Sequence, residues 1–111
     1  QLLLPDINRD RGHVLENVVY LELRRRGYTV YVGQLTKGEI DFVAQKPGGI
    51  LEYYQVSESV LDPTTRDREL APLEAVKDQY PKFLLTMDEL YKPHNYNGIQ
   101  QCNVLDWLIG M

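Results

Sequence analysis

The sequence predicts one α/β domain, with a mixed central sheet flanked by helices, in the order α-β-β-β-α-β plus a short tail. Three observations carry this. Apolar residues recur at helical spacing from residue 10 to 26. Three short segments rich in β-branched and aromatic residues follow, separated by turns. A second helical pattern then intervenes before another apolar strand. Strands joined by short turns imply an antiparallel meander, and a strand-helix-strand unit implies a parallel pair with a right-handed crossover.

The first helix rests on Val14, Leu15, Val18, Val19 and Leu21, and Gly27 stops it just after Arg24-Arg25-Arg26. Tyr28-Thr29-Val30-Tyr31-Val32 reads as the first strand. Lys37-Gly38 marks a turn, and Glu39-Ile40-Asp41-Phe42-Val43-Ala44 alternates polar and apolar, as a half-buried strand does. Pro47-Gly48-Gly49 connects to a third strand from Ile50 to about Ser57. Asp62-Pro63-Thr64-Thr65 opens the second helix, with a threonine as the expected cap. Leu70, Leu73, Val76 and Tyr80 supply its apolar stripe, and Pro72 predicts a kink or restart. Lys82 to Thr86 is the fourth strand. Residues 88 to 98, with Pro93 and Asn97-Gly98, read as a loop with at most one helical turn. Ile99 to Val104 reads as a fifth, edge strand and Leu105 to Ile109 as a closing helical turn, with Trp107 anchoring it to the core.

Composition narrows the function classes. The chain has 111 residues, which suits a single domain spanning 1–111. It begins at Gln1 with no initiator methionine, so the expectation is that the protein continues upstream. The opening Gln1-Leu2-Leu3-Leu4-Pro5-Asp6 lacks the features of a signal peptide and is too short to span a membrane, so a cytoplasmic protein without membrane contact is expected. The single cysteine, Cys102, excludes an internal disulfide and a multi-cysteine zinc site. A net charge of −4 argues against strong unaided nucleic-acid binding, because phosphate contacts need a basic surplus. The local basic runs, Arg24-Arg25-Arg26 and Arg66 with Arg68, are the candidate contacts for weak DNA binding; as solvated helix faces they would need no further role.

Six blocks then occur in order: Gly12-His13-Val14-Leu15-Glu16-Asn17-Val18-Val19-Tyr20-Leu21-Glu22-Leu23, Gly27-Tyr28, Glu39 to Ala44, Tyr54-Gln55-Val56, Arg68 to Leu73, and Tyr80 to Asp88. Together they resemble the PD-(D/E)XK, restriction-endonuclease-like fold. More narrowly, they resemble the C-terminal domain of unknown function that follows an AAA-type ATPase module in bacterial and archaeal proteins. The resemblance implies an upstream ATPase as partner in the same chain. ATP is expected only there, since this sequence holds no G-x-x-x-x-G-K-[ST] phosphate loop.

An active nuclease of that fold holds Mg²⁺ between acids on strands two and three, and a lysine two positions after the second acid activates water. Metal and cation offset the negative charge that builds up in phosphodiester attack. Carried onto this chain, the resemblance gives Asp41 as the strand-two acid and Glu16 as the helix acid, these two being the metal candidates. It gives Gln55 where the second acid stands and Ser57 where the lysine stands. Lys82 and Lys37 are the lysines that could have taken over.

The reading from the residues alone stays beside it. Asp41 could be only the polar face of a half-buried strand. Glu52 falls on the opposite strand face from Gln55 and Ser57. On a helical wheel, Glu22 lies within the apolar arc, so burial with Arg68 or a backbone amide as partner is expected. His13 and His94 lack metal-ligand spacing, and Ser57 and Ser59 lack a nucleophile elbow. Tyr28, Tyr31, Tyr53 and Tyr54 are read as packing residues, with base stacking as the alternative. Three functions follow: a non-catalytic docking or nucleic-acid-sensing module with a degenerate site, a Mg²⁺-dependent nuclease with a rearranged site, or a purely structural or homo-oligomerising module.

Overall fold

The computed structural model describes residues 7–35, 38–90 and 94–110, with side chains from His13 onward. Its elements are α1 (Ile7–Arg25), β1 (Thr29–Leu35), β2 (Gly38–Gln45), β3 (Leu51–Val56), α2 (Pro63–Ala75), β4 (Lys82–Thr86), β5 (His94–Tyr96), β6 (Ile99–Asn103) and α3 (Val104–Leu108). The strands form one six-stranded mixed sheet in the order β1-β2-β3-β4-β6-β5. The β1-β2-β3 meander is antiparallel, and β3, β4 and β6 run parallel. Lys37 and Pro93, like the opening Gln1 to Asp6, lie outside the described residues. Among the described residues, no helix is long and apolar enough to cross a membrane.

Local chemistry explains the boundaries. α1 ends in a double turn: the amides of Gly27 and Tyr28 return to the carbonyls of Arg24 and Leu23. That closure places Gly27 at φ 87, a conformation glycine adopts without Cβ strain. α2 is capped by Asp62, not a threonine, because its carboxylate takes the Thr64 amide while Pro63 fills the first turn. Pro72 lies within α2, and the helix ends three residues later at Ala75. Val76 is therefore the cap residue, and Tyr80 lies beyond the helix and exposed.

Two departures come from the C-terminal region. Residues 94–96 form a strand, β5, where a loop was expected, and β5 is the sheet edge in place of β6. Asn97 and Gly98, both at positive φ, make the tight turn that pairs Tyr96 with Ile99. β6 therefore lies between β4 and β5.

Each face of the sheet has its own core. α1 and α3 cover one face, where Val19, Leu23, Phe42, Ala44, Tyr54, Val56, Leu85, Val104 and Trp107 pack together. α2 covers the other, over Ile40, Tyr53, Val60, Leu70, Leu73, Leu84 and Ile99. Trp107 meets Tyr54 edge-on at 5.6 Å, which fixes the tail as expected. α1 uses a different face from the one the sequence suggested. Leu15, Val19 and Leu23 face the sheet, whereas Val14 and Leu21 are 59% and 64% exposed. The helix carries apolar residues on both sides, so its pattern alone did not say which side is covered.

Candidate functional site

β2 contains a bulge that its alternating sequence conceals. Tyr31 pairs with Val43 and Gly33 with Ile40, so Asp41 and Phe42 together oppose Val32. The extra residue reverses the strand's phase. Ile40 therefore packs under α2, while Phe42 and Ala44 pack under α1, although all three are buried. The regular β2–β3 ladder also begins only at Phe42 opposite Tyr54.

Beyond that point side chains replace backbone bonds. The Asp41 amide donates to Gln55 Oε1 at 2.7 Å, and the Val56 amide donates to Asp41 Oδ2 at 2.9 Å. Gln55 Nε2 donates to the carbonyls of Glu39, at 3.0 Å, and Glu69, at 3.1 Å. Gln55 is 2% exposed, and its amide ties β2, β3 and α2 together. A buried carboxamide bonded at both ends offsets its desolvation through those bonds and contributes directed contacts.

Asp41 is in a different electrostatic situation. Burial pushes its carboxyl up to about 7; the Val56 amide opposes this, while Glu16, Glu69 and Glu39 add to it. Glu69 on α2 is raised mainly by burial and further by Glu16, with Arg68 pulling it down. Acids from α1, β2 and α2 thus surround one seam. Glu16 also lines a small cavity of about 270 Å³ with His13, Asn17, Tyr20 and Phe42.

The sequence-derived site is brought together in part. Asp41 and Gln55 touch, and Glu16 is close enough to act on Asp41 through its charge. Ser57 turns aside: its hydroxyl donates to the Ser59 carbonyl at 3.1 Å. Lys82 sits beside Tyr53 rather than Gln55, and its ammonium is held by Asp78 Oδ1 and the carbonyls of Asp78 and Tyr80. The donors do not suit Mg²⁺. Gln55 Oε1 and Asp41 Oδ2 each face an amide N–H, and among the described residues no three Asp, Glu, His or Cys side chains form a metal-holding group.

The arginine runs separate into distinct roles. Arg24 bonds the Tyr20 hydroxyl, and Arg25 grips Glu22 through two nitrogens at 2.8 and 2.7 Å. Arg26 bonds Glu22, donates to the Trp107 carbonyl and lies 4.4 Å from the Trp107 ring centre. Glu22 is covered as expected, with its side chain 11% exposed, but its partners are Arg25 and Arg26, not Arg68 or a backbone amide. Those two hydrogen-bonded guanidiniums hold its carboxyl down at about 2. The residues three and four positions on share a helix face, which was the available sequence signal. Arg66 lies 5.9 Å from the Tyr96 ring, and Arg68 is exposed.

The other candidates fall into place. Glu52 is buried beneath α1, accepting the Tyr54 hydroxyl at 2.6 Å and pairing with Lys46 at 3.3 Å. Tyr53 and Tyr54 are buried packing residues whose hydroxyls end on Asp78 and Glu52 rather than in water; Tyr31 is exposed. His13 and His94 are exposed.

No family model matches the chain, and no solved structure matches it. The chain is similar to an uncharacterised protein of Haemophilus influenzae, 43% identical over 95 residues. The aligned part is 86% of this chain and 22% of that protein, so the chain spans under a quarter of its relative's length.

Proposed function

We propose that this domain is a non-catalytic docking or nucleic-acid-sensing module of a longer, AAA-type ATPase protein, built on a degenerate restriction-endonuclease-like core. The observation that carries this reading is Gln55. Where metal chemistry would need a carboxylate, a neutral amide spends its oxygen on the Asp41 amide and its nitrogen on two carbonyls. Ser57, where an ammonium would be needed, is bonded within its own loop. The sheet order, a meander followed by a parallel pair joined by a helix, accords with such a core. The greater length of the Haemophilus influenzae relative accords with a module in a larger chain.

Docking is the favoured role of the two. Arg26 is turned inward and Arg25 shares the Glu22 carboxylate with it, so two of the three arginines at the end of α1 are engaged within the chain. The rival nuclease reading has one observation in its favour. Asp41 and Glu69 are both raised carboxyls near Glu16, and a bound cation would relieve their repulsion. A nicking assay on supercoiled and branched DNA with Mg²⁺ or Mn²⁺ separates these readings. No cutting is expected, and cutting that disappears in Asp41→Ala overturns the proposal. DNA binding measured at low salt, where phosphate contacts are strongest, then separates sensing from docking.

A further inference from the structure

We propose that the cavity between the start of α2 and strands β4, β6 and β5 binds a free amino acid with an apolar side chain, its ammonium inward on Asp88 and its carboxylate outward on Arg66. The inference goes beyond the reading of the Asp41–Gln55 seam and does not depend on it. The cavity arises from a change of chemistry along one face of the sheet. Leu84 on β4 and Ile99 on β6 pack beneath α2, and strand alternation puts Thr86 and Gln101 next in line on that same face. The apolar core therefore gives way to buried polar side chains near the carboxyl ends of the parallel strands, which is where open α/β sheets take up ligands. The space there is about 390 Å³, within the roughly 300–1,000 Å³ of small-molecule sites.

Hydrogen bonds hold its inner wall in place. Thr86 Oγ1 accepts from Gln101 Nε2 at 3.1 Å and from the Asp88 amide at 3.2 Å. Gln101 Oε1 accepts the Tyr96 hydroxyl at 3.0 Å. The Asp88 carbonyl accepts Asn103 Nδ2 at 3.0 Å, and Asp88 Oδ2 accepts the Val60 amide at 2.9 Å. Asp88 is 9% exposed and lines the cavity, yet its Oδ1 makes no hydrogen bond among the described residues. A covered carboxylate oxygen calls for a donor, and an ammonium N–H is a strong one. Val60, Leu61, Leu90 and the Tyr96 ring supply the apolar part of the lining. Arg66 stands at the mouth, 5.9 Å from the Tyr96 ring, and meets Asp67 through Nε at 3.5 Å. Its two terminal nitrogens make no hydrogen bond among the described residues. Glu89 and His94 are also at the mouth and exposed. A simple amine is repelled by Arg66, and a simple carboxylate by Asp88 and Glu89. A molecule with both charges and an apolar body satisfies all of these groups.

An NMR titration of the 111-residue chain with L-leucine and with L-phenylalanine tests this. At least one of them is expected to bind in the millimolar range or tighter and to shift the amides of Val60, Asp88 and Gln101. N-acetyl-leucine lacks the ammonium and leucinamide lacks the carboxylate, so each is expected to bind at least tenfold more weakly. Asp88→Asn keeps an oxygen for the Val60 amide and is expected to weaken binding at least tenfold. Arg66→Gln, at a partly exposed position that the fold does not rely on for a hydrogen bond among the described residues, is expected to weaken it severalfold. No shift with either amino acid up to its solubility limit overturns the proposal. So does binding that N-acetyl-leucine matches, that either variant retains in full, or that shifts only amides outside the cavity.

Discussion

Two carboxylates, both largely covered, behave in opposite ways. Glu22, at the end of α1, is held at about 2 by hydrogen bonds from Arg25 and Arg26. Asp41, at the β2–β3 seam, is driven to about 7 by burial among Glu16, Glu69 and Glu39, with one backbone amide in opposition. Burial raises a carboxyl unless charged donors outweigh it: Glu22 has two guanidiniums, whereas Asp41 has one backbone amide. The α1 end is a finished ion-pair cluster. The seam is held by a neutral amide, with an unrelieved acid beside it.

The sharpest way to break this comparison is at Gln55. Gln55→Leu strips partners from the Asp41 amide and from the Glu39 and Glu69 carbonyls. A buried group left unpaired costs about 1–3 kcal/mol, so a loss of roughly 3 kcal/mol or more is expected in urea unfolding. Gln55→Glu is expected to be tolerated at acid pH and harmful at neutral pH, because its carboxylate would face two carbonyl oxygens.

The next effect has the opposite sign. A carboxyl whose folded pKa exceeds its unfolded value, about 3.9 for aspartate, holds its proton more tightly in the fold. Asp41 therefore lowers stability as pH rises from about 4 to about 7, and the loss is complete above that. Asp41→Asn keeps an oxygen for the Val56 amide. It is expected to stabilise the chain by roughly 2 kcal/mol at pH 8 and by nothing near pH 4, read as the difference between two thermal-melt series.

Glu22 reverses that dependence. Its folded pKa is depressed, so its contribution is full above the unfolded value of about 4.3 and fades as pH falls toward 2. Arg25 is mostly exposed, which limits the gain. Glu22→Gln is expected to cost about 1 kcal/mol at pH 7 and nothing at pH 2, by denaturant unfolding. The smallest effect is expected at Val14→Lys on the outer face of α1, within about 0.5 kcal/mol.

Much of the frame was legible because its signals are local. Gly27 ends α1, Lys82 to Thr86 is a compact apolar strand, and Trp107 docks the tail. The same holds for the opposition of Glu52 to Gln55, which strand alternation dictates. What escaped was tertiary. The bulge at Asp41-Phe42 leaves the buried-exposed rhythm of β2 intact while switching its faces, so no periodicity could disclose it. β5 is short and polar and exists because the Asn97-Gly98 turn lays it along β6; the turn signal was present, but the strand residues gave none. The contact between Asp41 and Gln55 follows from the β2–β3 pairing that the short connecting turn implied. That Gln55 also reaches the carbonyls of Glu39 and Glu69 was not foreseeable, since it depends on how α2 lies against the sheet.

The bond between Arg26 and the Trp107 carbonyl joins positions 81 residues apart. Contacts so distant in sequence carry a large loop-closure cost and tend to form late. The core beneath α1 is therefore closed only when α3 docks, because Trp107 is the residue that meets the Tyr54 ring. Cutting the chain before residue 104 is expected to remove Val104 and Trp107 from the core beneath α1 and to lay bare apolar side chains that invite aggregation.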